Sequence, residues 1–259
     1  MNWRPLDGVI VVDLTRMLPG GSATLLLADL GARIIKVERP GDLDATRYLA
    51  PRVGTDSSVQ HQYLDRDKET IQLDLRSESG HAELLELVQT ADAIVDSFRP
   101  GVMDRLGLSS DVLLGANPGL VALSLSGYGA GSVMSSYAGH DLNFVARAGV
   151  LGAGTEVPPL PIADLSGGML AATAIVAGVL QARASGHGSV IDLGLADAAL
   201  FVAGSKRSPR SSERRLLARA SRPRSTAPVP AMRCTPPPTE GAWPLARSSR
   251  SSGSRPSTS

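Results

Sequence analysis

Short runs of β-branched and aliphatic residues alternate along the chain with longer stretches whose apolar positions recur every three to four residues. The runs at 9–14, 34–38, 70–75, 93–96, 120–125 and 189–193 predict strands. The helical periods fall at 23–31, 80–90, 102–106, 109–114, 141–150, 165–184 and 196–202. Strands this apolar are covered on both faces, which predicts an α/β fold with a parallel sheet. The Gly-rich stretches Leu18-Pro19-Gly20-Gly21-Ser22 and Gly127-Tyr128-Gly129-Ala130-Gly131 lack both the dinucleotide spacing and the P-loop Lys-Ser/Thr, so both are expected to be tight loops. The apolar stretch 168–180 is too short for a membrane span and reads as a buried helix.

The pattern stops at residue 204. Residues 205–259 contain 13 Ser, 11 Arg and 9 Pro, with neither the strand nor the helix period. Proline breaks interior helices and strands, so this basic tail is expected to be disordered, against the alternatives of a basic arm or a segment whose proper sequence was lost. The division expected is therefore a folded part at 1–204 and a tail at 205–259.

Charge follows the same boundary. The tail holds 12 of the 26 Lys and Arg and 2 of the 25 Asp and Glu, which leaves the body with 14 basic against 23 acidic residues behind a formal net charge of +1. An acidic body argues against a nucleic-acid groove. The single cysteine, Cys234, lies in the tail, so the body has neither a disulfide framework nor a thiolate metal site. The first residues lack the pattern of a signal peptide, and the chain is expected to be cytoplasmic, with no membrane partner.

Four histidines are candidates for proton chemistry. His61, His81 and His187 sit in polar or turn-like surroundings that suit surface roles. His140, in Tyr137-Ala138-Gly139-His140-Asp141, falls at the start of a helix, where the positive dipole end favours a neutral base. Asp164 opens the next long helix, and its plainer reading is an N-cap.

A series of short motifs runs along the chain: Leu6-Asp7-Gly8, Val12-Asp13-Leu14-Thr15-Arg16, Leu27-Ala28-Asp29-Leu30-Gly31-Ala32 and Lys36-Val37-Glu38-Arg39-Pro40-Gly41. It continues through Asp65-Arg66-Asp67-Lys68, Leu73-Asp74-Leu75, Ser97-Phe98-Arg99-Pro100-Gly101, Ser124-Leu125-Ser126-Gly127-Tyr128-Gly129, Gly139-His140-Asp141-Leu142-Asn143, Ala163-Asp164-Leu165 and Ile191-Asp192. In this order, over about residues 5–204, the series resembles the class III CoA-transferase family (CaiB/BaiF-like), in its α-methylacyl-CoA racemase branch.

The resemblance implies a Rossmann-like CoA-binding domain, a smaller second domain, and an interlocked homodimer acting on an acyl-CoA substrate without metal or redox cofactor. Carried over by position, Arg39 meets the nucleotide end of CoA, Arg66 and Lys68 pass its adenine and phosphates, and Leu73, Asp74, Leu75 and Arg76 line the same pocket. Arg99 and Arg105 are further candidates. Arginine and lysine suit phosphates as a fork and a point charge.

The Gly139-His140-Asp141 sequence resembles the racemases, whereas the transferases typically carry tyrosine there. It implies inversion of an α-carbon by two groups on opposite faces of an enolate, His140 and Asp164, with the amides from Gly139 through Asp141 to Asn143 near the thioester oxygen. Asp164 then needs a raised pKa, from burial or a shared proton, to serve as the acid. The alternatives are a CoA-transferase with Asp164 as nucleophile, and an inactive CoA-binding protein. The break at 204 is what a truncated or frame-shifted gene would give, and implies an incomplete second domain that lacks the glutamate which orients the histidine in the family.

Overall fold

β1 (Ile10–Leu14) leads through α1 (Met17–Asp29) into β2 (Arg33–Glu38), and the two strands pair in parallel with Val12 beside Ile35. The structure, a computed structural model, describes residues 3–151 and 156–204 and the backbone of Arg233–Thr235. A short 3-10 turn (Ala45–Tyr48), the hairpin of β3 (Arg52–Val53) and β4 (Ser57–Ser58), and α2 (Val59–Leu64) then carry the chain to β5 (Lys68–Gln72), outside β2. The chain next crosses by α3 (Glu78–Thr90) to β6 (Ala93–Asp96), on the other side of β1.

The second half extends that side. After α4 (Val102–Arg105) and α5 (Ser110–Ala116) comes β7 (Val121–Ser126); after α6 (Asp141–Arg147) and α7 (Ile162–Ser185) comes β8 (Ser189–Gly194), followed by α8 (Leu195–Ala203). β9 (Arg233–Thr235) runs antiparallel beside β8. The sheet order is β5-β2-β1-β6-β7-β8-β9, parallel except at β9.

This is the α/β fold with a mostly parallel sheet that the strand pattern predicts. One apolar layer packs α1, α6, α7 and α8 against the sheet through Leu27, Ile34, Leu123, Ile175 and Ile191. The opposite layer joins α3 and α5 to the sheet through Val12, Leu84, Val88, Ile94 and Leu113. Side-chain caps set several starts: Ser77 accepts from the Gly80 N–H before α3, and Ser109 from the Val112 N–H before α5. Gly186, at φ 75°, closes α7 in the left-handed conformation that glycine adopts at no steric cost.

One expectation is corrected. Leu18 to Ser22 is not a loop but the start of α1, because Pro19 falls within the first turn, where its missing N–H would have had no partner. Gly20 then lets the helix lie against Thr15, and Gly21 lets it lie against Leu64. The turn and hairpin at 45–58 and helix α2 were not predicted, since these short polar elements carry no period. β9 lies inside the stretch expected to be disordered; the rest of that tail is outside the described residues. α7 is long and apolar enough to span a membrane, yet Ala171, Ala172, Ile175 and Val179 are buried in the apolar layer, as in a core helix.

Candidate functional site

The sheet order reverses between β1 and β6, and a crevice at the carboxyl ends of strands is the general consequence of such a reversal. Here the Arg16 N–H donates to Ser97 Oγ at 3.0 Å, joining the two strand ends. Beside them lies a cavity of about 240 Å³, lined by Thr15 and Arg16 after β1, Glu38 and Arg39 at the end of β2, Leu73 to Arg76 after β5, and Phe98, Val102 and Leu106 after β6. Its walls combine three guanidiniums and the carboxylates of Glu38, Asp42, Asp44 and Asp74 with apolar and aromatic surface. That donor set suits a ligand with a planar base and phosphates.

Of the positions carried over from the resemblance, Arg39, Leu73, Asp74, Leu75 and Arg76 line this cavity, and Arg105 lines an adjoining one that shares Leu75, Arg76 and Leu106. Arg39 Nε lies 3.7 Å from Asp74 Oδ1. The structure places three others elsewhere. Arg66 pairs with Asp29 at 2.7 Å and lies over the Tyr63 ring. The Lys68 side chain is 0% exposed, because its amine turns inward to the Gly21 carbonyl and to Asp65. Arg99 is exposed, outside the cavity lining. Arg16 and Phe98 were not singled out from sequence; their place directly after strands on either side of the reversal was the available signal.

Beneath the cavity runs a buried ionic network. The Lys36 ammonium is 3.0 Å from both Asp44 and Asp65, and its side chain is 2% exposed. Burial opposes its charge, but the surrounding Asp13, Asp65 and Asp44 carboxylates raise its pKa. Asp44 is held below the usual carboxylate range, since Lys36 and the Thr46 N–H outweigh the cost of burial. Asp13 accepts from the Thr15 and Thr24 hydroxyls at 2.6 Å each, fixing the β1–α1 connection. His61 belongs here too, which corrects its surface reading: Nδ1 is 3.0 Å from Ser57 Oγ and Nε2 is 3.2 Å from Asp65. Burial lowers its pKa. His81 does lie at the surface, against the Gly107 carbonyl, and His187 is exposed.

His140 is the exposed N-cap residue of α6, and its N–H donates to Asn143 Oδ1 at 3.0 Å. The Asn143 N–H in turn donates to the His140 carbonyl, so it is not left for a substrate oxygen. The first-turn amides of Asp141 and Leu142 are those an α-helix leaves without an intrahelical partner. Gly139 lies so close to the Phe144 ring and Tyr128 hydroxyl that a side chain there would force them apart.

Asp164 sits in the first turn of α7. It is not the N-cap: Pro161 is, and the Asp164 N–H donates to Asp141 Oδ1 at 3.0 Å. Its carboxyl is pushed up to about 6, chiefly by burial and then by the Asp141 charge, with His140 acting the other way. α1 connects this pair to the cavity, since its start flanks Thr15 while Ser22 and the Pro19 carbonyl lie against Gly168, one turn beyond Asp164.

Sequence and structure comparisons agree on what the chain is similar to. Residues 6–236 match the family described as CoA-transferase family III. An acetyl-CoA:oxalate CoA-transferase from Acetobacter aceti is 38% identical over 203 residues, which cover 76% of this chain and 52% of that one. The human α-methylacyl-CoA racemase is 34% identical over 204 residues, 76% of this chain and 50% of that one. The crystal structure of a CAIB/BAIF family protein from Brucella suis superposes with a TM-score of 0.73 at 30% identity, covering 85% of this chain and 59% of that one. The chain spans about half the length of the curated relatives it matches.

Proposed function

The chain belongs to CoA-transferase family III, and on that premise we propose that its site is built for the racemisation of 2-methylacyl-CoA thioesters. The observation that carries this reading is the pairing of His140, at the start of α6, with an Asp164 carboxyl raised to about 6. Neutral His140 removes the α-proton and becomes imidazolium, the carbon becomes part of an enolate, and protonated Asp164 returns a proton to the opposite face. Burial raises the Asp164 carboxyl to about 6, so a protonated fraction persists near neutral pH where an ordinary aspartate keeps almost none. The Asp141 and Leu142 amides are the donors suited to the thioester oxygen.

The 240 Å³ cavity takes the nucleotide end of CoA, with Arg16, Arg39 and Arg76 on its phosphates and Phe98 and Leu73 beside the base. α1 then spans the distance between nucleotide and thioester. CoA enters as part of the substrate; the proton transfer needs neither metal nor redox cofactor. The working form in this proposal is a cytoplasmic homodimer.

A second reading has support of its own, because an acetyl-CoA:oxalate CoA-transferase at 38% identity and a succinyl-CoA:glutarate CoA-transferase at 36% match beside the human racemase at 34%. In that reading the Asp164 carboxylate attacks the thioester carbonyl, the C–S bond breaks, and a mixed anhydride forms as CoA thiolate leaves. Hydroxylamine separates the two: incubated with acyl-CoA, a racemase leaves Asp164 unmodified. An Asp164 hydroxamate found by mass spectrometry would replace the proton-transfer reading with the transferase one.

A further inference from the structure

We infer that Asp141 is a positioning residue for Asp164: its carboxylate ties the start of α7 to the start of α6 and supplies the negative charge that the Asp164 carboxyl faces. This deepens the two-base reading and rests on it. The Asp141 side chain neither takes nor gives the transferred proton.

The inference starts from a missing cap. α7 is 24 residues long and begins after Pro161, which has no side chain able to accept from the first amides. The Asp164 N–H is one of those amides, and its acceptor is Asp141 Oδ1, 23 residues earlier in the chain. α6 does not need Asp141 for its own start, because Asn143 accepts from the His140 N–H there. One carboxylate therefore links the histidine's immediate neighbour to the backbone of the acid. This hydrogen bond joins the starts of two helices that also pack together in one apolar layer.

The same carboxylate acts on the Asp164 side chain. Burial is the first reason that this carboxyl holds its proton, and the Asp141 charge is the second; His140 opposes both. Among the described residues, the charges that act on this carboxyl are those of Asp141 and His140. Asp141 thus separates into two roles that different substitutions remove. Asn keeps an oxygen that accepts the Asp164 N–H and loses the charge; Ala loses both; Glu keeps the charge.

The experiment is a carboxyl titration of the intact protein labelled with ¹³C at aspartate Cγ, with Asp164 assigned through Asp164→Asn. In Asp141→Asn the Asp164 midpoint falls by on the order of one pH unit while amide exchange at Asp164 stays slow. In Asp141→Ala the midpoint falls as well and the Asp164 amide exchanges faster. Asp141→Glu returns the midpoint toward the parent value. An Asp164 midpoint unchanged in a folded Asp141→Asn protein overturns the inference. Titration needs no turnover, so these shifts in a protein without α-proton exchange would uphold the link between Asp141 and Asp164 and overturn the racemase reading alone.

Discussion

Arg16 grips Asp42 with both terminal guanidinium nitrogens, at 3.1 and 3.0 Å, beside the cavity at the sheet reversal. The same arginine also donates to the Leu43 carbonyl at 2.7 Å. Part of the positive charge that lines the cavity is thus already countered by the protein. The pair is partly exposed, so its own contribution to stability is small, but its effect on an incoming anion is not.

Removing Asp42's charge should strengthen CoA binding. In Asp42→Asn the affinity for free CoA by calorimetry is expected to rise several-fold, with a steeper loss in salt, because Arg16 is released to a phosphate. Arg39→Ala should weaken it by about tenfold or more, the effect of losing one charge-assisted contact. Equal affinities in parent and Arg39→Ala would remove the nucleotide from this cavity.

Lys36 is expected to be the most costly single charge to delete. Lys36→Met leaves Asp44 and Asp65 buried beside each other without their shared cation. Breaking a buried pair from one side costs about 3–5 kcal/mol, which urea unfolding would read as a large fall in midpoint. A loss below about 1 kcal/mol would mean that the network is solvated.

Asp96 gives a pH dependence of known sign. It is buried at the end of β6, accepts from Ser124 Oγ at 2.6 Å and from the Phe98 N–H at 3.0 Å, and its pKa is raised to about 6, chiefly by burial. The folded state therefore holds this proton more tightly than the unfolded one. Its contribution is fully present below the unfolded value near 4 and is lost as pH rises through 6. The stability of Asp96→Asn relative to the parent should accordingly rise between pH 4 and 7, by on the order of 2–3 kcal/mol. A difference that is flat with pH would place the Asp96 carboxyl in water.

Gly168 fixes the spacing of α1 and α7. A Cβ there would run into Ser22 Oγ and the Pro19 carbonyl, so Gly168→Ala should cost about 1–3 kcal/mol in urea unfolding. Gly115, in α5, has open space around it, and Gly115→Ala should be neutral or stabilising by up to about 1 kcal/mol. Equal effects at the two positions would contradict the close helix contact.

How far the sequence announced this molecule follows from which forces leave a pattern in it. Strands buried on both faces leave continuous apolar runs, so Ala93–Asp96 was read with both ends correct and the other parallel strands within one residue, except the half-exposed edge strand β5, read at 70–75 and found at Lys68–Gln72. Networks leave none. Lys68 reads as a phosphate ligand beside Arg66, yet its amine is drawn under α1 by Asp65 and the Gly21 carbonyl. The start of α1 was hidden for a similar reason, since Pro19, Gly20 and Gly21 look like a loop until Thr15 and Leu64 are seen to need the space. His140 at a helix start was legible, because capping is local. The hydrogen bond from Asp164 to Asp141 was not, because it joins two helices across 23 residues.

The most direct measurement is α-proton exchange. One enantiomer of a 2-methylacyl-CoA, incubated with the protein in D₂O without an acceptor acid, should gain deuterium at the α-carbon and convert to the mixture of both hands, and His140→Ala or Asp164→Ala should abolish this. A folded protein that binds CoA but leaves the α-carbon undeuterated, or that exchanges equally well in either variant, would contradict the two-base site.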